Sequence, residues 1–260
     1  MKALLLPLLA CTLPLAAHAA DIAAVSPSRL DSVLESGQLR VCMTGDYKPF
    51  SYYRADQTFE GIDVDLARSL ATSLGVKPVF VKTTWPTLLD DFSRQCDVAL
   101  GGISITTERL KRVAFAESHL VDGKAPIIRC ADQGRFPDFA AIDQPGTRAI
   151  VNPGGTNERF ARSHYQHAQL TLHPDNVSIF QEIVDGRADV MVTDASETRW
   201  QARLHPELCP VKPDQPLQYA QKAIMLPRGD VPFKAYVDGW LNLAKANGEF
   251  GQIMDRWLKQ

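Results

Sequence analysis

The sequence predicts a two-lobed α/β protein, each lobe a mostly parallel sheet flanked by helices, with two segments crossing between the lobes. Three observations carry this prediction. Residues 39–100 alternate short apolar runs with amphipathic stretches in β-α-β-α-β order, a pattern that builds parallel sheets with helices on both faces. Residues 148–194 repeat the plan: laid beside the first unit, residues 92–100 match 184–192, with Asp97 over Asp189. Two apolar stretches, 125–128 and 223–226, flank the second unit and read as the crossings. The predicted division is a first lobe of residues 26–127 plus 223–260 and a second of residues 128–222.

Each element follows from its residues. Residues 27–36 form an amphipathic helix with Leu30, Val33 and Leu34 inward and Gly37 as its stop. The strand 39–43 runs into a loop, 44–52, that carries the carboxylate of Asp46. A helix over 61–74, capped by Asp63 and closed by Gly75, leads to a strand at 78–81 and a helix over 85–92 that opens with Trp85. The strand 97–100 ends at Gly101-Gly102, where the backbone turns tightly. Ser104 and Thr106 then supply hydroxyls, and Thr106 is the N-cap of a helix starting at Thr107. Arg109 sits in the first turn of that helix, where the macrodipole disfavours a cation. The placement makes sense where guanidinium and helix terminus share an anion.

The second unit begins with a strand at 148–151 and a glycine-rich turn, 152–156, onto a helix through Phe160. Asn176 caps a helix with Ile179, Phe180 and Ile183 inward, and the strand 188–194 follows. Helices over 233–246 and 250–258 return to the first lobe. In such sheets ligands bind at the carboxyl ends of the strands, where Asp46, Trp85 and the 104–109 segment fall.

Composition narrows the class. With 260 residues and a net charge of −2, the chain can bury a full core and has no electrostatic footprint for nucleic acid. Met1-Lys2, an apolar run from Ala3 to Ala16 and Ala17-His18-Ala19 read as a signal peptide over residues 1–19, too short to span a bilayer. A lipoprotein box ending at Cys11 is the weaker alternative, so a soluble exported protein, with no attachment to the membrane, is expected. Export permits disulfides among Cys42, Cys96, Cys130 and Cys209. Cys42, inside a strand, is expected to be a buried free thiol, and Cys130 and Cys209, in one lobe, to pair. No Cys/His spacing suggests a metal site, and P-loop, Rossmann and Gly-x-Ser-x-Gly fingerprints are missing.

Residues 61–67 (Gly-Ile-Asp-Val-Asp-Leu-Ala), 102–109 (Gly-Ile-Ser-Ile-Thr-x-x-Arg) and 154–157 (Gly-Gly-Thr-Asn) resemble the polar amino-acid-binding family of periplasmic solute receptors. Residues 44–52, 150–158, 173–177 and 203–209 are similar to the periplasmic cyclohexadienyl dehydratases, enzymes on the same periplasmic-binding-protein-like fold. That resemblance implies decarboxylating dehydration of prephenate to phenylpyruvate and of arogenate to phenylalanine. It implies no cofactor, a periplasmic location and a homotrimer. The alternative is a non-catalytic amino-acid receptor of an ABC transporter.

The receptors use residues matching Arg109 and Asp194 for the ligand carboxylate and ammonium, so these two do not discriminate. Glu197 does, because receptors usually carry a small residue there and the dehydratases their catalytic acid. Glu197 lies one helical turn from Asp194 on the same face. Hydroxide is a poor leaving group, so the reaction needs an acid kept protonated by burial and by a neighbouring carboxylate. Arg109 is assigned the side-chain carboxylate, since gripping the departing one would stabilise the ground state. Trp85 is a wall for the ring, and Asn152, Thr156 and Asn157 supply hydrogen bonds from the second lobe.

Overall fold

The computed structural model describes residues 27–259, so the expected leader 1–19 and Cys11 lie outside the described residues. Along the Gln38–Met43 strand, Leu39, Val41 and Met43 alternate with Arg40 and Cys42, so the two sets face opposite sides of a sheet. Val41 and Met43 join Leu66 and Leu70 of the Ile62–Ser73 helix, Val237 and Leu241 of Val231–Ala246, and Ile253 of Glu249–Leu258 in one core. Cys42 faces the other core, with Leu88 and Phe92 of the Leu88–Gln95 helix. The C-terminal helices thus return to the first sheet, as their sequence predicts.

That sheet has the order Lys77–Lys82, Gln38–Met43, Val98–Ala99, Met225–Pro227, Val113–Phe115. Its first three strands are parallel, and Met225–Pro227 runs antiparallel to both neighbours. The second sheet has the order Gln169–Leu172, Arg148–Val151, Val190–Asp194, Leu120–Arg129, Leu208–Pro210, again with three parallel strands first. Two lobes, each a mostly parallel sheet with helices on it, are therefore present.

The repeat read from Asp97 and Asp189 is physical. Asp97 accepts from the Arg40 backbone N–H at 2.8 Å and from its guanidinium at 2.7 Å. Asp189 accepts from Arg148 in the same way, at 2.9 and 2.7 Å. In both lobes an aspartate at the strand's start pins the neighbouring strand.

Several expectations need correction. The stretches 125–128 and 223–226 are not the crossings themselves: Ala125–Ile128 pairs with Val190–Thr193 in the second sheet, and Met225–Pro227 belongs to the first. The link between sheets is the antiparallel pair of 120–123 with 219–222, immediately before each stretch. Cys42 is not a free thiol but is bonded to Cys96, with Cα atoms 5.7 Å apart. Cys96 follows the Leu88–Gln95 helix and enters the strand beside Gln38–Met43, which brings it to the face Cys42 occupies. Cys130 and Cys209 are bonded as expected.

Asp63 and Asn176 do not cap helices. Gly61 holds the cap position of Ile62–Ser73 and Ser178 that of Ile179–Val184, each without a side-chain cap bond. Both polar groups serve distant partners instead. Trp85 precedes its helix, which starts at Leu88.

Candidate active site

Asp194 ends the Val190–Asp194 strand and holds the cap position of the Ala195–Leu204 helix. Its buried carboxylate is fully engaged. Oδ1 accepts from Lys124 Nζ at 2.7 Å, and Oδ2 accepts from Lys222 Nζ at 2.6 Å and from the Tyr47 hydroxyl. Burial would raise this carboxyl, but the two ammonium groups outweigh burial and hold it below the usual range. Burial pushes the Tyr47 phenol well up, and Asp194 adds to that. The Lys124 ammonium is pushed down by burial, against the pull of Asp194.

Each lysine makes further bonds. Lys124 donates to Thr156 Oγ1 at 3.0 Å and to Asn157 Oδ1; Lys222 donates to Tyr47 Oη and to the Gly102 carbonyl, both at 3.1 Å. Gly102 permits this proximity, since φ is +72° and a Cβ would stand 2.4 Å from the Tyr47 ring.

Glu197, one turn beyond Asp194, is completely buried. Oε2 accepts from the Thr193 hydroxyl at 2.5 Å, and Oε1 has no hydrogen-bond partner. Burial pushes this carboxyl well above the usual range; the Thr193 bond opposes the shift and the Asp194 charge reinforces it. A shift in that direction favours the protonated carboxyl. Glu197 does not line the cleft directly. It connects to it through Thr193, whose oxygen accepts from Asn157 Nδ2 at 3.0 Å.

On the other lobe Arg109 is buried, and one guanidinium nitrogen donates to the Ser104 carbonyl at 2.7 Å. No carboxylate pairs with it among the described residues. Burial, with help from the Arg159 charge, pushes it down to about 10. A buried cation without a counter-ion is a place for an anionic ligand.

Tyr47, Trp85, Gly102, Ser104 and Arg109 line one wall of the cleft. Asn152, Thr156, Asn157, Asn176 and Asp194 line the other. The lobes touch across it, with Asn176 Nδ2 donating to the Asp46 carbonyl at 3.0 Å. Of the sequence-predicted residues, Trp85, Ser104, Arg109, Asn152, Thr156, Asn157 and Asp194 meet here. Asp46 lies at the outer mouth, where Oδ1 accepts from Trp85 Nε1 at 3.0 Å. Burial raises the Asp46 carboxyl. Thr106 is outside the lining; its hydroxyl accepts from the Arg109 N–H at 3.2 Å as the helix cap.

Sequence reasoning missed Lys124, Lys222, Tyr47 and Thr193. The lysines left a signal, since each immediately precedes one of the two apolar stretches, 125–128 and 223–226, where a charge is costly. Lys124, Lys222 and Arg109 outweigh Asp194, with Asp122 placed 3.8 Å from Lys222 as a partial offset. Three cations against two carboxylates leave one net positive charge, which suits an anionic ligand.

Residues 39–260 match the model of the bacterial extracellular solute-binding proteins, family 3. A cyclohexadienyl dehydratase of Pseudomonas aeruginosa is 55% identical over 233 residues, 89% of this chain and 87% of that protein. The crystal structure of an ancestral amino acid-binding protein, described as a precursor of cyclohexadienyl dehydratase, superposes with a TM-score of 0.83 at 31% identity, covering 89% of this chain and 100% of the other. An ancestral cyclohexadienyl dehydratase is 46% identical, covers 91% of this chain and 98% of its own, and has a TM-score of 0.57.

Proposed function

Starting from the family to which the chain belongs, the bacterial extracellular solute-binding proteins of family 3, we propose that it is a cyclohexadienyl dehydratase, as its relative at 55% identity is named. The substrates are prephenate and arogenate, the products phenylpyruvate and phenylalanine, and no cofactor takes part. The observation that carries this reading is the state of Asp194. In a receptor that carboxylate must be open to a ligand ammonium, yet here two lysines and a tyrosine occupy it. Beside it stands the buried carboxyl of Glu197, with its pKa pushed up by burial and one oxygen unused.

The chemistry follows from those groups. Prephenate arrives with two carboxylates, and Arg109 takes the one on the side chain. The bond from the ring to the other carboxylate breaks, and its electron pair enters the ring. The carbon–oxygen bond across the ring breaks as a proton reaches the departing hydroxyl, supplied by Glu197 and passed on by the Thr193 hydroxyl that joins it to the cleft, so CO2 and water leave. The sum is one prephenate and one proton in, and one phenylpyruvate, CO2 and water out; solvent restores the proton. Asp194 spreads the charge of Lys124 and Lys222, so neither pairs tightly with the carboxylate that must leave. Trp85, edge-on to Tyr47 at 5.7 Å between ring centroids, walls the flattening ring.

We place the mature protein in the periplasm, after removal of residues 1–19, as a homotrimer. The test of function is incubation of the purified protein with prephenate, followed as phenylpyruvate. Stoichiometric formation supports the reading. Tight binding of an amino acid with prephenate left intact makes the chain a receptor.

A further inference from the structure

Outside the cleft, two buried titratable groups have no part in the chemistry above. Asp63 and His119 are each 1% exposed at the side chain, with Nε2 of His119 3.3 Å from Oδ1 of Asp63. Oδ2 of Asp63 accepts from two successive backbone donors, the N–H groups of Gly101 at 2.7 Å and Gly102 at 2.6 Å. Those glycines adopt φ of +129° and +72° and have no side chains to fix the turn. The carbonyl of Gly102 accepts from Lys222 Nζ at 3.1 Å, and the N–H of His119 donates to the Lys222 carbonyl at 3.1 Å. Lys222 is therefore held at its ammonium end and at its backbone by neighbours of the same pair.

The internal repeat gives independent support. Asp63 is the second residue of the Ile62–Ser73 helix, and Asn157 the second of Thr156–His164. With Asp97 over Asp189, Gly101 and Gly102 fall over Thr193 and Asp194. Asn157 donates from Nδ2 to the Thr193 hydroxyl, where Asp63 accepts from the N–H groups of Gly101 and Gly102, so each lobe sets a polar residue at the same helix position against the end of its aspartate-led strand.

We propose that Asp63, backed by His119, is a positioning residue for Lys222 and through it for the ion cluster at Asp194. The proposal rests on the catalytic reading above. Without the carboxylate, two buried N–H groups lose their acceptor, the turn relaxes, and the Gly102 carbonyl leaves the lysine.

The test is a double-mutant cycle of Asp63→Ala and Lys222→Met, read in kcat/KM for prephenate and in affinity for phenylpyruvate. Asp63→Ala alone should lower kcat/KM roughly 10- to 100-fold, the scale of an ångström-sized misplacement. In the Lys222→Met background the same change should cost less than about 3-fold, because the group being positioned is gone. Asp63→Asn, which keeps an oxygen for both N–H groups, should recover most of the loss. Equal losses in both backgrounds, or no loss in either, overturn the proposal. If Lys222→Met does not fold, Lys222→Arg serves as the perturbed background with the same criterion. If the wild-type protein leaves prephenate intact, the catalytic reading has failed and the cycle in affinity decides the positioning role alone.

Discussion

Replacing Asp194 by asparagine removes the one negative charge that two buried ammonium groups share at 2.7 and 2.6 Å. Breaking a buried ion pair from one side costs about 3–5 kcal/mol, because the surviving charge has no water to return to. With two lysines stranded, the upper half of that range applies. For a chain of this size each kcal/mol shifts Tm by about 2–4 °C, so Asp194→Asn should lower Tm by roughly 8–20 °C at pH 7. The deficit has a pH signature. In the variant Lys124, already pushed down by burial, loses its counter-ion, so its folded-state pKa falls further below the unfolded value. The unfolded state then binds more protons, and stability rises with pH between the two. The gap to wild type should therefore narrow from pH 7 to 10. Adding Lys124→Met should recover part of the loss. Thermal unfolding followed by circular dichroism measures all three. A deficit below about 1 kcal/mol, or a Lys124→Met change that simply adds its own destabilisation, would refute the picture of a carboxylate held by two buried cations.

Arg109→Met should lower carboxylate affinity by about 100-fold or more with Tm unchanged or raised, since the buried guanidinium opposes folding when no anion is bound; titration calorimetry and a melting curve decide it. Non-reducing peptide maps should join Cys42 to Cys96 and Cys130 to Cys209, and Cys42→Ala with Cys96→Ala should cost about 2–5 kcal/mol; any other joining contradicts the fold. Intact mass of the exported protein should place its N-terminus at Ala20 or Asp21, and a lipid on Cys11 would show that the leader is of the other kind.

What the sequence disclosed depended on the range of each interaction. Thr106 was legible as a cap because its bond to Arg109 N–H spans three residues. The sheets were legible because the period of apolar residues is local, and Asp97 and Asp189 because the same strand start occurs twice. Asp63 and Asn176 misled for the opposite reason. A polar residue near a helix start looks like a cap, yet these reach Gly101, Gly102 and Asp46, 38 to 130 residues away. Cys42 gave no hint of Cys96, since strand adjacency and not spacing brings them together. The apolar stretches after Lys124 and Lys222 mark both as costly charges but do not say where their ammonium groups lie. Only the fold shows that both converge on the carboxylate of Asp194.

Glu197→Gln tests the central claim most directly. Glutamine keeps the shape and still accepts from Thr193, but it has no proton for the departing hydroxyl. A positioned acid contributes about 10²–10⁴-fold, or roughly 3–5 kcal/mol of transition-state stabilisation, more than one neutral hydrogen bond supplies. The wild type should lose kcat as pH rises through the raised pKa of Glu197, and the variant should lack that limb. Stability provides a second reading of the same group. A carboxyl whose folded pKa is raised loses stability as pH climbs from its unfolded value to its folded one, so the variant should gain on the wild type over that interval. The measurement is kcat against pH for both proteins with prephenate. The account predicts a loss of about 10²-fold or more and no alkaline limb for Glu197→Gln, with substrate affinity largely kept. Near wild-type turnover in that variant, or an unchanged limb, would place the acid elsewhere and contradict it.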